Sequence, residues 1–167
     1  MQYPASLTPV EDGGFVVTLR DIPAAITQKD DDVKAMEMAA DALRTAMDFY
    51  FEDRRPVPPP SAAQEGERLI ALPRSESVKV LLLNRMLKDR VRPADLARML
   101  RVKPQEITRL TKLHHNTEID TLAEALEALG CELIIRARPK ELAGLDLDPT
   151  LDSVQIAASN NSYALAA

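Results

Sequence analysis

Two prolines eleven residues apart, Pro93 and Pro104, frame the segment R-P-A-D-L-A-R-M-L-R-V-K-P-Q-E-I-T-R-L-T-K-L from Arg92 to Leu113. Proline suits the first turn of a helix, where no backbone N–H is needed, so two helix starts this close leave room only for two short helices and a tight turn. Leu96 and Ala97, then Leu100 and Val102, then Ile107 and Leu110 fall where two helices crossing steeply share one small core, with Ala97 small enough to let them approach. A helical hairpin with no binding role shows the same apolar pattern.

Charge separates the two readings. From Arg85 to His115 there are nine Lys or Arg residues against Asp89, Asp95 and Glu106, an excess of six positive charges in a chain whose net charge is −5. Charge runs usually mark solvated helix faces. An excess confined to a helix-turn-helix pattern in an acidic chain is instead the electrostatic footprint of phosphate binding, and points to DNA.

The remaining composition bounds the answer. A chain of 167 residues, 46% apolar, has room for one or two small domains. No stretch is long and apolar enough for a membrane, and the start M-Q-Y-P-A-S-L lacks the pattern of a signal peptide, so a cytoplasmic address is expected. Cys131 stands alone, cannot form an internal disulfide, and reads as a small core residue.

Residues 2–9 and 14–19 alternate as strands do, with Tyr3, Ala5 and Leu7 on one face, then Phe15, Val17 and Leu19 on one face, around a glycine turn at Gly13-Gly14. Ala25-Ile26-Thr27 is expected to add a third strand. A helix is expected from the Asp30-Asp31-Asp32 cluster, with an apolar stripe of Val33, Met36, Ala40, Leu43, Met47 and Tyr50 packing on the sheet. Four prolines make 54–66 a stiff linker, after which residues 68–73 read as a strand. Ser75 or Ser77 is expected to cap the next helix, through Val78, Leu81, Leu82, Met86 and Leu87. Thr117 and Asp120 suggest a capping box for the last, which runs through Ile119, Leu122, Ala123, Leu126 and Leu129 to Gly130. Residues 133–138 look strand-like, and 139–167 too poor in apolar bulk to fold alone.

The strings Y-P-A-S-L-T-P, G-G-F-V-V-T, D-I-P-A-A-I-T-Q and A-x-x-A-A-D-A-L resemble the N-terminal domain of HicB antitoxins, and residues 77–138 resemble the Cro-repressor type of helix-turn-helix that longer HicB proteins carry. The resemblance implies an α+β chain: a truncated ribonuclease-H-like β-β-β-α-β domain over 1–73, an all-α helix-turn-helix domain over 77–138, and a disordered tail over 139–167. It implies an antitoxin that binds a HicA-like toxin, a double-stranded-RNA-binding type of protein that cleaves messenger RNA with a histidine. Residues 1–65 hold twelve acids against six bases, a balance suited to steering a basic partner, although acidity also serves solubility.

In such a module the second helix, about Pro104 to Leu113, enters the major groove. Gln105 is then expected to pair with adenine and Arg109 with guanine, flanked by Thr108 and Lys112, while Arg92, Arg98 and Lys103 hold phosphates. Arg101 stands where the turn usually has glycine. Two-fold dimers are expected, with Leu126, Leu129 and the strand Leu133-Ile134-Ile135 as candidate contacts. The acids near the N-terminus are explained by turns and caps, and His114 and His115 have neither metal-ligand nor catalytic spacing, so no catalytic residue, metal or cofactor is expected. The other reading from a different class is a DNA-binding regulator that senses a small ligand. The terminal Tyr163-Ala164-Leu165-Ala166-Ala167 resembles a protease-recognised tag, or equally an inert or cloned tail.

Overall fold

The computed structural model describes residues 1–136 apart from Asp12; the expectations for the tail and for residues 137 and 138 lie outside the described residues. Strands β1 (Gln2–Pro9), β2 (Phe15–Thr18) and β3 (Ile26–Lys29) precede helix α1 (Asp32–Glu52), strand β4 (Arg68–Ala71) and helices α2 (Arg74–Lys88), α3 (Pro93–Leu100), α4 (Pro104–Leu110) and α5 (Ile119–Ala128). The sheet order is β3-β2-β1-β4, with every neighbouring pair antiparallel. Gly13 and Gly14 both take φ near +90° in the β1–β2 turn. A Cβ on Gly14 would come within 2.7 Å of the Lys29 carbonyl oxygen, so only glycine lets this turn close against the end of β3.

α1 begins as its aspartates dictate: Asp31 is the N-cap and accepts from the Lys34 N–H at 2.9 Å. Its packed face is Ala35, Ala39, Leu43, Ala46 and Met47. This corrects the expected stripe, because Val33 is 60% exposed and Met36, Ala40 and Tyr50 only flank the core. Small residues let the helix lie close on the sheet, and the bulky ones fill its margins.

The proline-rich segment is strapped to the sheet rather than free. Val57 is buried, the Tyr3 hydroxyl donates to the Pro58 carbonyl at 3.0 Å, and Ser61 Oγ donates to Asp21 at 2.8 Å. Burial, then the nearby Asp21 charge, push the Tyr3 phenol well above its ordinary value, so it serves as a neutral donor.

α2 lies between two cores. Val80 and Leu83 pack with the sheet and α1, whereas Val78, Leu82 and Met86 pack with α3, α4 and α5. Its N-cap is Pro73, with no side-chain bond, which corrects the expected serine cap. Ser77 Oγ instead donates to the Pro73 carbonyl at 3.0 Å and accepts from the Met1 ammonium at 2.9 Å. Likewise Glu118, not Thr117, is the N-cap of α5, and Thr117 Oγ1 donates to the His115 carbonyl. Residues 131–136 form no strand, and Leu126 and Leu129 are buried within the helical core, so neither offers the contact surface expected of it. Cys131 is half-buried against that same core.

Candidate nucleic-acid interface

α3 and α4 are joined by Arg101, Val102 and Lys103. Pro93 and Pro104 are both first helical residues, as their spacing predicts. Leu96, Ala97, Ile107 and Leu110 are buried where the helices cross. Arg101 closes α3 in the left-handed region at φ 56° and ψ 36°, and the next residue's N–H, that of Val102, bonds the Ala97 carbonyl at 3.0 Å. That backbone turn favours glycine; the chain accepts the Cβ penalty there.

Gln105, Thr108 and Arg109 are all exposed on α4, with Gln105 and Arg109 one turn apart on the same face. Thr108 is partly committed: its hydroxyl donates back to the Pro104 carbonyl at 3.1 Å. α4 ends at Leu110, three residues short of the expected end, so Lys112 is exposed in the turn that follows rather than on the helix. Lys103 is the N-cap residue, exposed beside the entry to α4.

Arg92 and Arg98 converge on one carboxylate. Asp95 accepts from the Arg92 N–H at 3.1 Å and from Arg92 Nε at 2.9 Å, and it also pairs with Arg98. The hydrogen bonds from the Arg92 side chain and backbone hold the Asp95 carboxyl down at about 2. Both arginines stay largely exposed, so the face keeps its charge while the pair fixes the start of α3. An open groove of about 290 Å³ runs beside α4, between Ile107, Leu110 and Arg109 on one side and Thr117, Thr121 and Glu124 on the other.

Sequence reasoning missed the charged contacts behind this face. Glu76 on α2 accepts from Arg44 on α1, at 2.8 Å to the terminal nitrogen and 3.2 Å to Nε. His114, just past α4, sets Nδ1 3.2 Å from Glu76 and Nε2 2.6 Å from Asp48 of α1. The imidazole bridges the two carboxylates, and among the described residues no three metal-ligating side chains converge on a common point. Lys79 is only 1% exposed and donates to the Lys112 and His115 carbonyls. Its only sequence signal is a lysine flanked by Val78 and Val80 in an apolar helix.

A family profile described as HicB-like antitoxin of bacterial toxin-antitoxin systems matches residues 2–81. Over 133 residues the chain is 48% identical to Antitoxin HicB of Escherichia coli (strain K12), spanning 80% of this chain and 96% of that protein. It is 50% identical over 133 residues to Antitoxin HicB 2 of Photorhabdus laumondii, spanning 80% and 94%. Antitoxin HicB of Pseudomonas fluorescens is 32% identical over 126 residues, spanning 75% and 86%.

Proposed function

The chain belongs to the HicB-like antitoxin family of bacterial toxin-antitoxin systems, and on that premise we propose that it binds and inhibits a HicA-like messenger-RNA-cleaving toxin in the cytoplasm and represses its own operon by binding operator DNA. The β-β-β-α-β order of the first four strands and α1 supports reading the N-terminal part as a truncated ribonuclease-H-like, toxin-binding unit. The single observation that carries the DNA half is the exposed pair Gln105 and Arg109 on a short helix that follows a three-residue turn, with exposed Lys103 at its N-cap and exposed Arg92 and Arg98 at the start and in the last turn of α3. It supports reading this part as a Cro-like helix-turn-helix, in which the second helix reads bases while the flanking cations hold phosphates. One such helix offers a small interface, so a homodimer or higher oligomer is part of the proposal, with Ile135, 65% exposed just past the helical core, as a candidate contact. Recognition of the Tyr163–Ala167 end by a protease is retained as a proposal about turnover.

Co-expression with the neighbouring gene tests the first half, since a toxin partner should co-purify and its toxicity should be suppressed. A mobility shift with the DNA upstream of the chain's own gene tests the second. Retarded migration competed by that DNA and not by random duplex is expected, and its absence would refute repression.

A further inference from the structure

The turn that follows α4 is held by the N-terminal half of the chain. Leu113 is buried in the core formed by the sheet and α1, whereas Leu110 and Ile107, about one and two turns earlier, are buried in the helical core. Beside Leu113, the Lys79 ammonium donates to the Lys112 carbonyl at 2.6 Å and to the His115 carbonyl, and His114 reaches Asp48 on α1 and Glu76 on α2. Arg44 of α1 completes the chain of contacts through Glu76.

We propose that Lys79, with the Arg44–Glu76–His114–Asp48 cluster, sets the orientation of α4, so that residues of α1 and α2 determine how well this helix reads its DNA. The inference rests on the DNA-reading role proposed above. α4 has only seven residues, and its own packing is through Ile107 and Leu110. Apolar contacts are non-directional and leave a short helix free to roll, whereas an ammonium has three donors that must meet specific oxygens. Burying that ammonium is costly, and desolvation lowers the Lys79 pKa, with Glu76 opposing it. A leucine or methionine would fill the same space without that cost. What lysine adds is a fixed position for two carbonyls of the turn that follows α4. Lys79 and Glu76 lie one turn apart on α2, so one helix face grips the trailing turn through its backbone and through His114. Lys79 is thus a positioning residue: it touches no base or phosphate.

The test uses the full chain and the DNA upstream of its own gene, with Lys79→Met, Lys79→Arg and the half-exposed Asp48→Asn. Affinity is measured for that duplex and for random duplex, alongside hydrogen exchange over residues 104–116. Lys79→Met should weaken binding to its own DNA about tenfold, from the loss of charged hydrogen bonds that hold α4, and speed exchange in 111–116. Random-duplex binding should stay unchanged, because the phosphate-facing cations remain. Lys79→Arg should recover most of the loss, and Asp48→Asn should weaken specific binding in the same sense from a helix remote from the DNA. If the wild type binds and both Lys79→Met and Asp48→Asn bind equally well with unchanged exchange, the coupling is wrong. Should Lys79→Met not fold, Asp48→Asn decides alone. A wild type that ignores its upstream DNA instead overturns the reading role of α4, and this inference with it.

Discussion

The Asn84 side chain on α2 holds both backbone groups of Val57, accepting from its N–H and donating to its carbonyl, each at 2.8 Å. This pair closes the proline-rich strap onto α2, next to Val80 and Leu83 in the sheet-side core. α2 therefore completes the N-terminal unit as well as opening the helical one.

A fragment ending at Lys88 or Asp89 should fold and neutralise the toxin, while one ending at Pro73 should be unstable because it lacks Val80, Leu83 and Asn84. In the full chain Asn84→Ala should cost about 2–3 kcal/mol, from two hydrogen bonds lost and two buried backbone groups left unpaired. Thermal unfolding of the variant and both fragments checks this. A stable, active 1–73 fragment would show that α2 is dispensable to the sheet.

Arg101 holds φ 56° at the end of α3, and among the described residues its side chain makes no ion pair. Arg101→Gly should therefore raise stability by roughly 1 kcal/mol by removing the Cβ penalty of the left-handed turn. An unfolding midpoint lowered by the substitution would mean that the arginine stem makes packing contacts worth more than the strain.

Much of this could be read from residue order, and the failures share a cause. Pro93, Pro104 and Arg101 were legible because backbone restrictions act locally. The alanine face of α1 was not, because Ala35, Ala39 and Ala46 signal close approach only once the sheet beneath them is known. Lys79 and Glu76 carry no local signal of burial, since their partners are a turn more than thirty residues on and a helix more than thirty residues back. The strand expected at 133–138 failed over its described part because apolar residues satisfy two environments: Leu133 packs against helices and Ile135 projects outward. Toxin contacts and the operator sequence leave no such local signal.

The Asp95 carboxyl titrates near 2, well below its ordinary 3.8, because Arg92 donates to it from side chain and backbone. A depressed carboxyl contributes stability that is fully present above about pH 4 and is lost as pH falls through about 2. Asp95→Asn should lower the unfolding midpoint at neutral pH, and the gap from the wild type should close as pH approaches 2. Denaturation followed across that range checks the sign; a gap independent of pH would place the effect of Asp95 in packing rather than charge.

The exposed cations of α3 and α4 should fall into three classes when replaced one at a time. Arg109 projects from the same face as Gln105, and a bidentate contact to guanine carries sequence information, so Arg109→Ala should cost about 1–3 kcal/mol on the operator and relax preference at one base pair. Lys103 at the N-cap faces the backbone in such a docking, so Lys103→Ala should weaken operator and random duplex alike and reduce the salt slope by about one. Arg92 and Arg98 already share Asp95, and a phosphate must compete with that carboxylate, so each alanine variant should lose less than Lys103→Ala does. Salt-dependent binding isotherms for the four variants on operator and random duplex separate the classes. Equal losses on both duplexes for Arg109→Ala would remove it from base reading and leave α4 as a phosphate-holding element only.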